Sequence, residues 1–256
     1  MPGSAAEAVE AFGDGRGVTV FAGGTILMPD VAHGRYPKGG RTLMLSRAGL
    51  DEISAEGPVR IGAMAKLSAV ADSGIEPLAT AAADVADHEI RGQGTLGGNL
   101  CAPPGAESPR GDLQAALLAV GAHVRSVGSR GERTEPVHEF LRGEEPRLVL
   151  GVEFERPARA AYLSQRRPHA HSYAVMAVAC AETGDGVRVA AAGVGPHAVR
   201  LEAVERALTD GGSPADAAPK AVDGLEPPDD ALASSWYRKQ VLPTLVRRAL
   251  EQLQGV

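Results

Sequence analysis

The sequence predicts an α+β protein made of two small α/β units followed by a smaller α+β unit of antiparallel strands and helices. Three observations predict it. Two glycine-rich turns, Ala22-Gly23-Gly24-Thr25-Ile26-Leu27 and Gly94-Thr95-Leu96-Gly97-Gly98-Asn99-Leu100, lie about seventy residues apart, and each follows or interrupts an apolar, strand-like run. Short helical patterns alternate with strand-like ones as far as Arg156-Pro157, a domain boundary by its composition. Beyond it, two apolar runs joined by Thr183-Gly184-Asp185-Gly186 read as a hairpin.

Taken in order, Ser4 to Phe12 forms a short helix opened by a Ser cap with Glu7 three residues on. Val18 to Ala22 is a buried strand, the first glycine turn leads into a helix or loop to about Val31, and Thr42 to Leu45 is a second strand. Val59 to Ala63 is a strand, Leu67 to Ala71 and Ile75 to Ala86 are helical, and the second glycine turn follows directly. Asp112 to Val120 is a helix with Leu113, Leu117 and Leu118 on one face, and strands follow near Ala122 to Val127 and Arg147 to Phe154. Tyr173 to Glu182 and Val187 to Val194 are the hairpin strands. A helix at Val199 to Leu208, a polar linker from Gly211 to Asp230 and a helix from Trp236 to Leu253 complete the chain.

Composition sets limits. The 256 residues are 44% hydrophobic and 23% charged, enough to bury a sizeable core. A net charge of −6 argues against a nucleic-acid surface, and pairs such as Arg166-Arg167 and Arg247-Arg248 read as solvated faces. The sequence has no basic region followed by an apolar leader, and no apolar run approaches the roughly twenty residues that span a bilayer, so a cytoplasmic protein without membrane contact is expected. Two cysteines, Cys101 and Cys180, cannot ligate a [2Fe–2S] cluster, which takes about four thiolates. His169 and His171 lack acidic companions at metal-ligand spacing, His88-Glu89 has no second His on its helical face, and no G-x-S-x-G elbow is present. Neither a protein-held metal nor hydrolase chemistry is expected.

The glycine turns suit a diphosphate. Glycine tolerates positive φ and lacks a Cβ, so consecutive amides can converge on one anion, and two such loops could hold the two phosphates of a dinucleotide. A lone Gly-Gly is ordinarily a plain turn, and neither segment matches G-x-G-x-x-G opening a helix or G-x-x-x-x-G-K-[ST].

Further segments carry a resemblance over nearly the whole length: Phe21 to Thr25, Val59-Arg60-Ile61-Gly62-Ala63-Met64, Ile90 to Leu100, Ser108-Pro109-Arg110-Gly111-Asp112-Leu113, Ser172-Tyr173-Ala174-Val175 and Gly193-Val194-Gly195-Pro196. In this order and spacing they resemble the FAD-binding medium subunit of the molybdenum hydroxylases, the family of xanthine dehydrogenase and carbon monoxide dehydrogenase. The resemblance implies a two-lobed PCMH-type FAD-binding fold over 1–157, with lobes of about 1–55 and 56–157, and a C-terminal domain over 158–256 like that of carbon monoxide dehydrogenase flavoprotein. In that family a further strand usually precedes the first helix, so this chain is expected to begin late.

The resemblance also implies the site. Ala22, Gly23, Gly24, Thr25, Ile26, Leu27, Thr95, Gly97, Gly98 and Asn99 would hold the FAD diphosphate, through backbone amides with Thr25 and Thr95 adding hydroxyl donors. Asp112 would accept from ribityl or ribose hydroxyls, with a helix N-terminal acid as its plain structural reading. Tyr173 would pack on the isoalloxazine ring, and Ser108 and Leu150 are carried over with them. Two departures stand out: Ile26 where relatives have a polar residue, and Ser164-Gln165 near a family Lys beside the flavin, for which Arg166 or Arg167 could substitute. Cys101 reads as a buried thiol. The implied activity is electron transfer within a hetero-oligomer, from a molybdenum-cofactor large subunit through a [2Fe–2S] small subunit to FAD, then to NAD, quinone or oxygen. Two alternatives stay open, a non-catalytic homologue without FAD and a stand-alone flavin oxidoreductase. No acid/base pair for substrate activation favours the latter.

Overall fold

The structure is a computed structural model describing residues 1–35, 39–103, 111–167 and 174–255. Helix α1 (Ala5–Phe12) begins where the cap predicts, the Ser4 hydroxyl accepting the Glu7 amide at 3.2 Å, while the Glu7 carboxylate reaches back to the Gly3 amide at 2.8 Å. Strand β1 (Val18–Phe21) leads through the first glycine turn into α2 (Leu27–Ala32), and β2 (Arg41–Met44) returns parallel to β1. β1 is half-buried rather than buried, because its sheet has two strands and no third to flank it. This lobe docks through Phe12, Leu43 and Leu45 onto Val127, Leu148 and Leu150 of the next.

The second lobe contains β3 (Ile53–Ser54), β4 (Val59–Gly62), α3 (Leu67–Ala71), α4 (Leu78–Ala83), α5 (His88–Gln93), α6 (Leu96–Leu100) and α7 (Asp112–Ala119). It continues through β5 (His123–Gly128), β6 (Gly131–Pro136), α8 (Val137–Phe140) and β7 (Leu148–Phe154). Its sheet is antiparallel, in the order β3-β4-β7-β5-β6. Three predictions change here. The helix expected over Ile75 to Ala86 is confined to α4, because Pro77 keeps the residues before it out of helical conformation and Ala86 takes φ 43°. Helix α5 stands between α4 and the second glycine turn. That turn is itself helix α6, with Thr95 as its cap.

The C-terminal part comprises β8 (Arg159–Gln165), β9 (Met176–Thr183), β10 (Gly186–Ala192) and β11 (Val199–Arg200), then α9 (Glu202–Thr209), α10 (Pro214–Ala217), a 3-10 turn over Ala218–Val222, and α11 (Ser235–Gln254). The four strands form an antiparallel sheet in the order β11-β10-β9-β8, and the predicted hairpin is present, with Thr183 paired to Gly186 at φ 106°. The start of the helix expected at Val199 is instead β11, and the expected linker contains α10.

Helix α7 joins these parts. Every one of its residues is buried, against the expectation of one apolar face, because α4 and α6 cover one side while β9 and β10 cover the other. One apolar cluster therefore runs from Leu113 and Leu117 to Ala179 and Ala190, across the expected boundary at 157. Gln114 adds a polar tie: its Nε2 donates to the Leu100 carbonyl at 3.0 Å, and its Oε1 accepts the Ala198 amide at 3.1 Å. The opposite face of the four-stranded sheet is covered by α9 and α11. There Arg238, 1% exposed, donates to the Gly193 carbonyl and to Asp230 Oδ1, each at 2.7 Å, which pins the segment before α11 to the sheet.

Candidate functional site

The two glycine turns meet. A Cβ on Gly23 would stand 2.1 Å from the Gln93 carbonyl oxygen and 3.1 Å from the Gly94 Cα, so only glycine permits this contact. Gly24 takes φ 76°, and its carbonyl accepts the Met28 amide at 2.8 Å, which turns the chain from β1 into α2. The amides of Gly23, Gly24, Thr25 and Ile26 donate to no other described residue. Four free amides in one turn form a ready anion cradle.

The second turn does not repeat this. The Leu96 amide donates to Ala65, the Gly97 amide to Ala63 and the Asn99 amide to Thr95, at 2.9, 2.8 and 2.9 Å. The Gly98 amide donates to Thr95 Oγ1 at 3.1 Å. Two causes combine: Thr95 caps the helix and takes the Gly98 and Asn99 amides, while the Ala63 and Ala65 carbonyls, about thirty residues earlier in the chain, take those of Gly97 and Leu96. Among the described residues the first turn thus offers four free amides, and the second offers that of Thr95. The second turn presents the Thr95 hydroxyl and the Cβ-free surface of Gly98, where an added Cβ would touch only Thr95 Oγ1. Gly97 has a packing reason to be glycine, since a Cβ would lie 2.9 Å from the Ala63 carbonyl.

Between the turns lies a cleft of about 270 Å³, lined by Thr25, Ile26, Thr95, Gly98, Asn99 and Asp112 among others. Six expected site residues therefore share one cavity. Asn99 links α6 to the start of α7: its Oδ1 accepts the Leu113 amide at 2.9 Å and its Nδ2 donates to Asp112 Oδ2 at 3.2 Å. Asp112 is 8% exposed, and burial pushes its carboxyl up to about 6, against the opposing Asn99 hydrogen bond; nearby Asp84 adds to the rise and Arg166 opposes it. A buried carboxylate beside a cleft suits neutral hydroxyls better than phosphate.

Other expected residues fall elsewhere. Ala22 packs against the cluster holding Leu150, which supports the first turn from below and is 7% exposed. Leu27 opens α2, outside the cleft lining. Ser108 and Tyr173 lie outside the described residues, as do His169 and His171. Cys101 is exposed as a residue, yet desolvation pushes its thiol up to about 12, which fits the expected buried thiol, while Cys180 is buried with its thiol on the Ala249 carbonyl. Of the two candidate arginines, Arg166 pairs with Asp84 at 2.7 Å on the cleft side, whereas Arg167 donates to the Leu232 carbonyl at 2.9 Å and is thereby held against the segment before α11.

Sequence reasoning missed His33, Arg35, Leu67, Val85, Ala86 and Ile90, which also line the cleft. Leu67 and Ile90 are apolar positions in short helices, where core packing is the default reading. Arg35 sits in a turn-rich stretch without periodicity, and its guanidinium is paired with Asp30 at 2.9 Å. Among the described residues no group of three or more His, Cys, Asp or Glu could hold a metal, and no helix is long and apolar enough to cross a membrane.

Residues 1–153 match the family model described as the FAD binding domain in molybdopterin dehydrogenase, and residues 159–253 match the CO dehydrogenase flavoprotein C-terminal domain. The chain is 31% identical over 257 residues to the 6-hydroxypseudooxynicotine dehydrogenase complex subunit alpha of Paenarthrobacter nicotinovorans, covering 90% of this chain and 85% of that protein. It is 30% identical over 275 residues to the carbon monoxide dehydrogenase medium chain of Hydrogenophaga pseudoflava, covering 97% and 94%. Among solved structures, a carbon monoxide dehydrogenase from H. pseudoflava lacking the Mo-pyranopterin moiety aligns with a TM-score of 0.84 at 28% identity, over 99% of this chain and 96% of that one. Quinoline 2-oxidoreductase from Pseudomonas putida 86 aligns with a TM-score of 0.84 at 25% identity, over 99% and 95%.

Proposed function

This chain belongs to the family of FAD-binding domains in molybdopterin dehydrogenases, and we propose that it is the flavin-carrying electron-transfer subunit of a hetero-oligomeric molybdenum hydroxylase. Electrons would reach it from [2Fe–2S] clusters on a small partner subunit, supplied by a molybdenum cofactor on a large one. They would leave for NAD, quinone or oxygen. The observation that carries this reading is the pairing of a first turn with four free amides, of which Thr25 and Ile26 line the cleft, with a buried carboxylate across that cleft. One end suits a diphosphate and the other a polyol, and FAD contains both.

When bound, FAD supplies the electron exchange, and the protein supplies binding, orientation and electrostatics. The amides of Gly23, Gly24, Thr25 and Ile26 would hold the diphosphate, with the Thr25 and Thr95 hydroxyls as side-chain donors. Ile26 brings no polar side chain, so at that position the turn would bind through its backbone amide alone. Asp112, fixed by Asn99, would accept from the sugar or ribityl hydroxyls. Leu67, Val85 and Ile90 give the cleft apolar walls that exclude water. Residues 1–157, as lobes 1–55 and 56–157, would carry the cofactor, with 158–256 as the C-terminal domain. Ser108, Leu150 and Tyr173 complete the proposed site, Tyr173 on the ring. A cytoplasmic location fits this role.

Partners are required because two cysteines cannot hold an iron–sulfur cluster. The two named relatives above are likewise called a complex subunit and a medium chain. Co-expression with the neighbouring genes tests the proposal: the purified complex should contain flavin, iron and molybdenum, and the chain alone should oxidise no organic substrate. Substrate turnover by the single chain free of iron and molybdenum would refute it.

A further inference from the structure

Strand β8 carries a buried group that the proposed site does not use. Side chains alternate along a strand, and the structure shows the alternation here: Ala161 packs into the cluster under α11, whereas Tyr162 packs into the cluster around α7. By the same period, Ser164 and Arg166 share the face of Tyr162, and Arg166 reaches Asp84 at the end of α4. Tyr162 is 4% exposed, and its hydroxyl makes no hydrogen bond to any described residue. An orphaned buried hydroxyl is costly and uncommon in folded proteins, and it calls for an explanation.

The charged groups acting on this phenol are Asp112, Asp84 and Arg166. Arg166 pairs with Asp84 through one terminal nitrogen at 2.7 Å, while its Nε is buried without a partner among the described residues. Among the described residues Asp112 accepts a side-chain hydrogen bond from Asn99 and one from its own backbone amide, although an ionised carboxylate can accept about four. The neighbourhood thus holds two donors without an acceptor, the Tyr162 hydroxyl and the Arg166 Nε, and one carboxylate with room for donors. Burial and the two carboxylates push the phenol well above its ordinary range, so it stays protonated and can only gain by donating.

Resting on the FAD reading above, we propose that Tyr162 is a positioning residue for Asp112: its phenolic O–H donates to the Asp112 carboxylate when a cofactor hydroxyl engages that carboxylate from the cleft. Tyr162 itself stays behind the cleft wall and does not line it. The hydrogen bond forms with the cofactor and holds Asp112 ionised and aimed at the hydroxyl.

Tyr162→Phe removes the hydroxyl alone, and FAD titration of the apo full-length chain reads the effect. Affinity at pH 8 should fall about tenfold or more, the equivalent of one hydrogen bond to a charged group. The loss of affinity on acidification should begin at higher pH than in the wild type, because Asp112 has lost a donor to its charged form. The melting temperature of the apo variant should be unchanged or higher, since no bond is lost without cofactor. Unchanged FAD affinity would overturn the inference, as would weakened affinity with an equal fall in apo melting temperature, which marks a merely structural role. A folded wild type with no FAD affinity would overturn the functional reading and this inference with it.

Discussion

Gly23→Ala adds one methyl group at the contact between the two glycine turns. In the native backbone that carbon would stand 2.1 Å from the Gln93 carbonyl oxygen and 2.8 Å from its carbon, where contacts below 3.0 Å essentially never occur. Neither neighbour is a flexible side chain, so the turns must part by about 1 Å. The stability cost is that of a small overpacking, about 1–3 kcal/mol. The effect on cofactor binding should be larger. Each amide-to-phosphate hydrogen bond is charge-assisted and worth about 1.5–3 kcal/mol, so misplacing two of the four free amides removes about 3 kcal/mol or more, over 100-fold in Kd. Gly57→Ala is the control: it has φ 75° with open space around the added carbon, so it is strained without a clash and lies in the β3–β4 hairpin. FAD titration by flavin fluorescence, with thermal melting of both variants, separates the effects. Gly57→Ala should bind FAD like the wild type. A Gly23→Ala chain with wild-type FAD affinity would refute the reasoning.

Three further outcomes are expected. Thr95→Ala should lower stability by about 1 kcal/mol through the lost helix cap, and Thr95→Ser should restore it in denaturant titration. Asp112 is raised from 3.8 to about 6 in the folded chain, so its contribution to apo stability falls as pH rises from about 4 to 6 and stays unfavourable above. Asp112→Asn should therefore melt higher than wild type at pH 7.5, with the gain vanishing near pH 4, and should bind FAD more weakly. Arg238→Ala leaves the half-buried Asp230 without its cation, held only by the Leu232 and Ala233 amides, and should cost about 3–5 kcal/mol in denaturant unfolding, while the folded fraction keeps its FAD affinity.

The sequence makes legible what local chemistry determines. The Ser4 cap, the Thr183 to Gly186 hairpin and the terminal helix appear where capping and turn residues place them. Tertiary context decides the rest. Strand β6, Gly-Glu-Arg-Thr-Glu-Pro, carries no apolar alternation and forms because β5 offers it an edge. Asp112 to Val120 looks amphipathic at three leucines, but its alanines are equally buried since sheet and helices enclose it from both sides. The diphosphate-suited turns were readable from their glycines, yet the commitment of the second turn's amides to Thr95, Ala63 and Ala65 depends on contacts made about thirty residues away in the chain. Arg35, Val85 and Tyr162 carried no signal of their own, because only folding brings them to the cleft or to the carboxylate behind its wall.

The most direct test of the central claim is cofactor stoichiometry. The full-length chain, incubated with excess FAD and freed of unbound flavin, should show a flavin absorption spectrum and release about one FAD per chain on heating, and Gly24→Val, which forces a β-branched side chain into positive φ beside the Phe21 ring, should release none. A folded wild-type chain that stays colourless under those conditions would contradict the account.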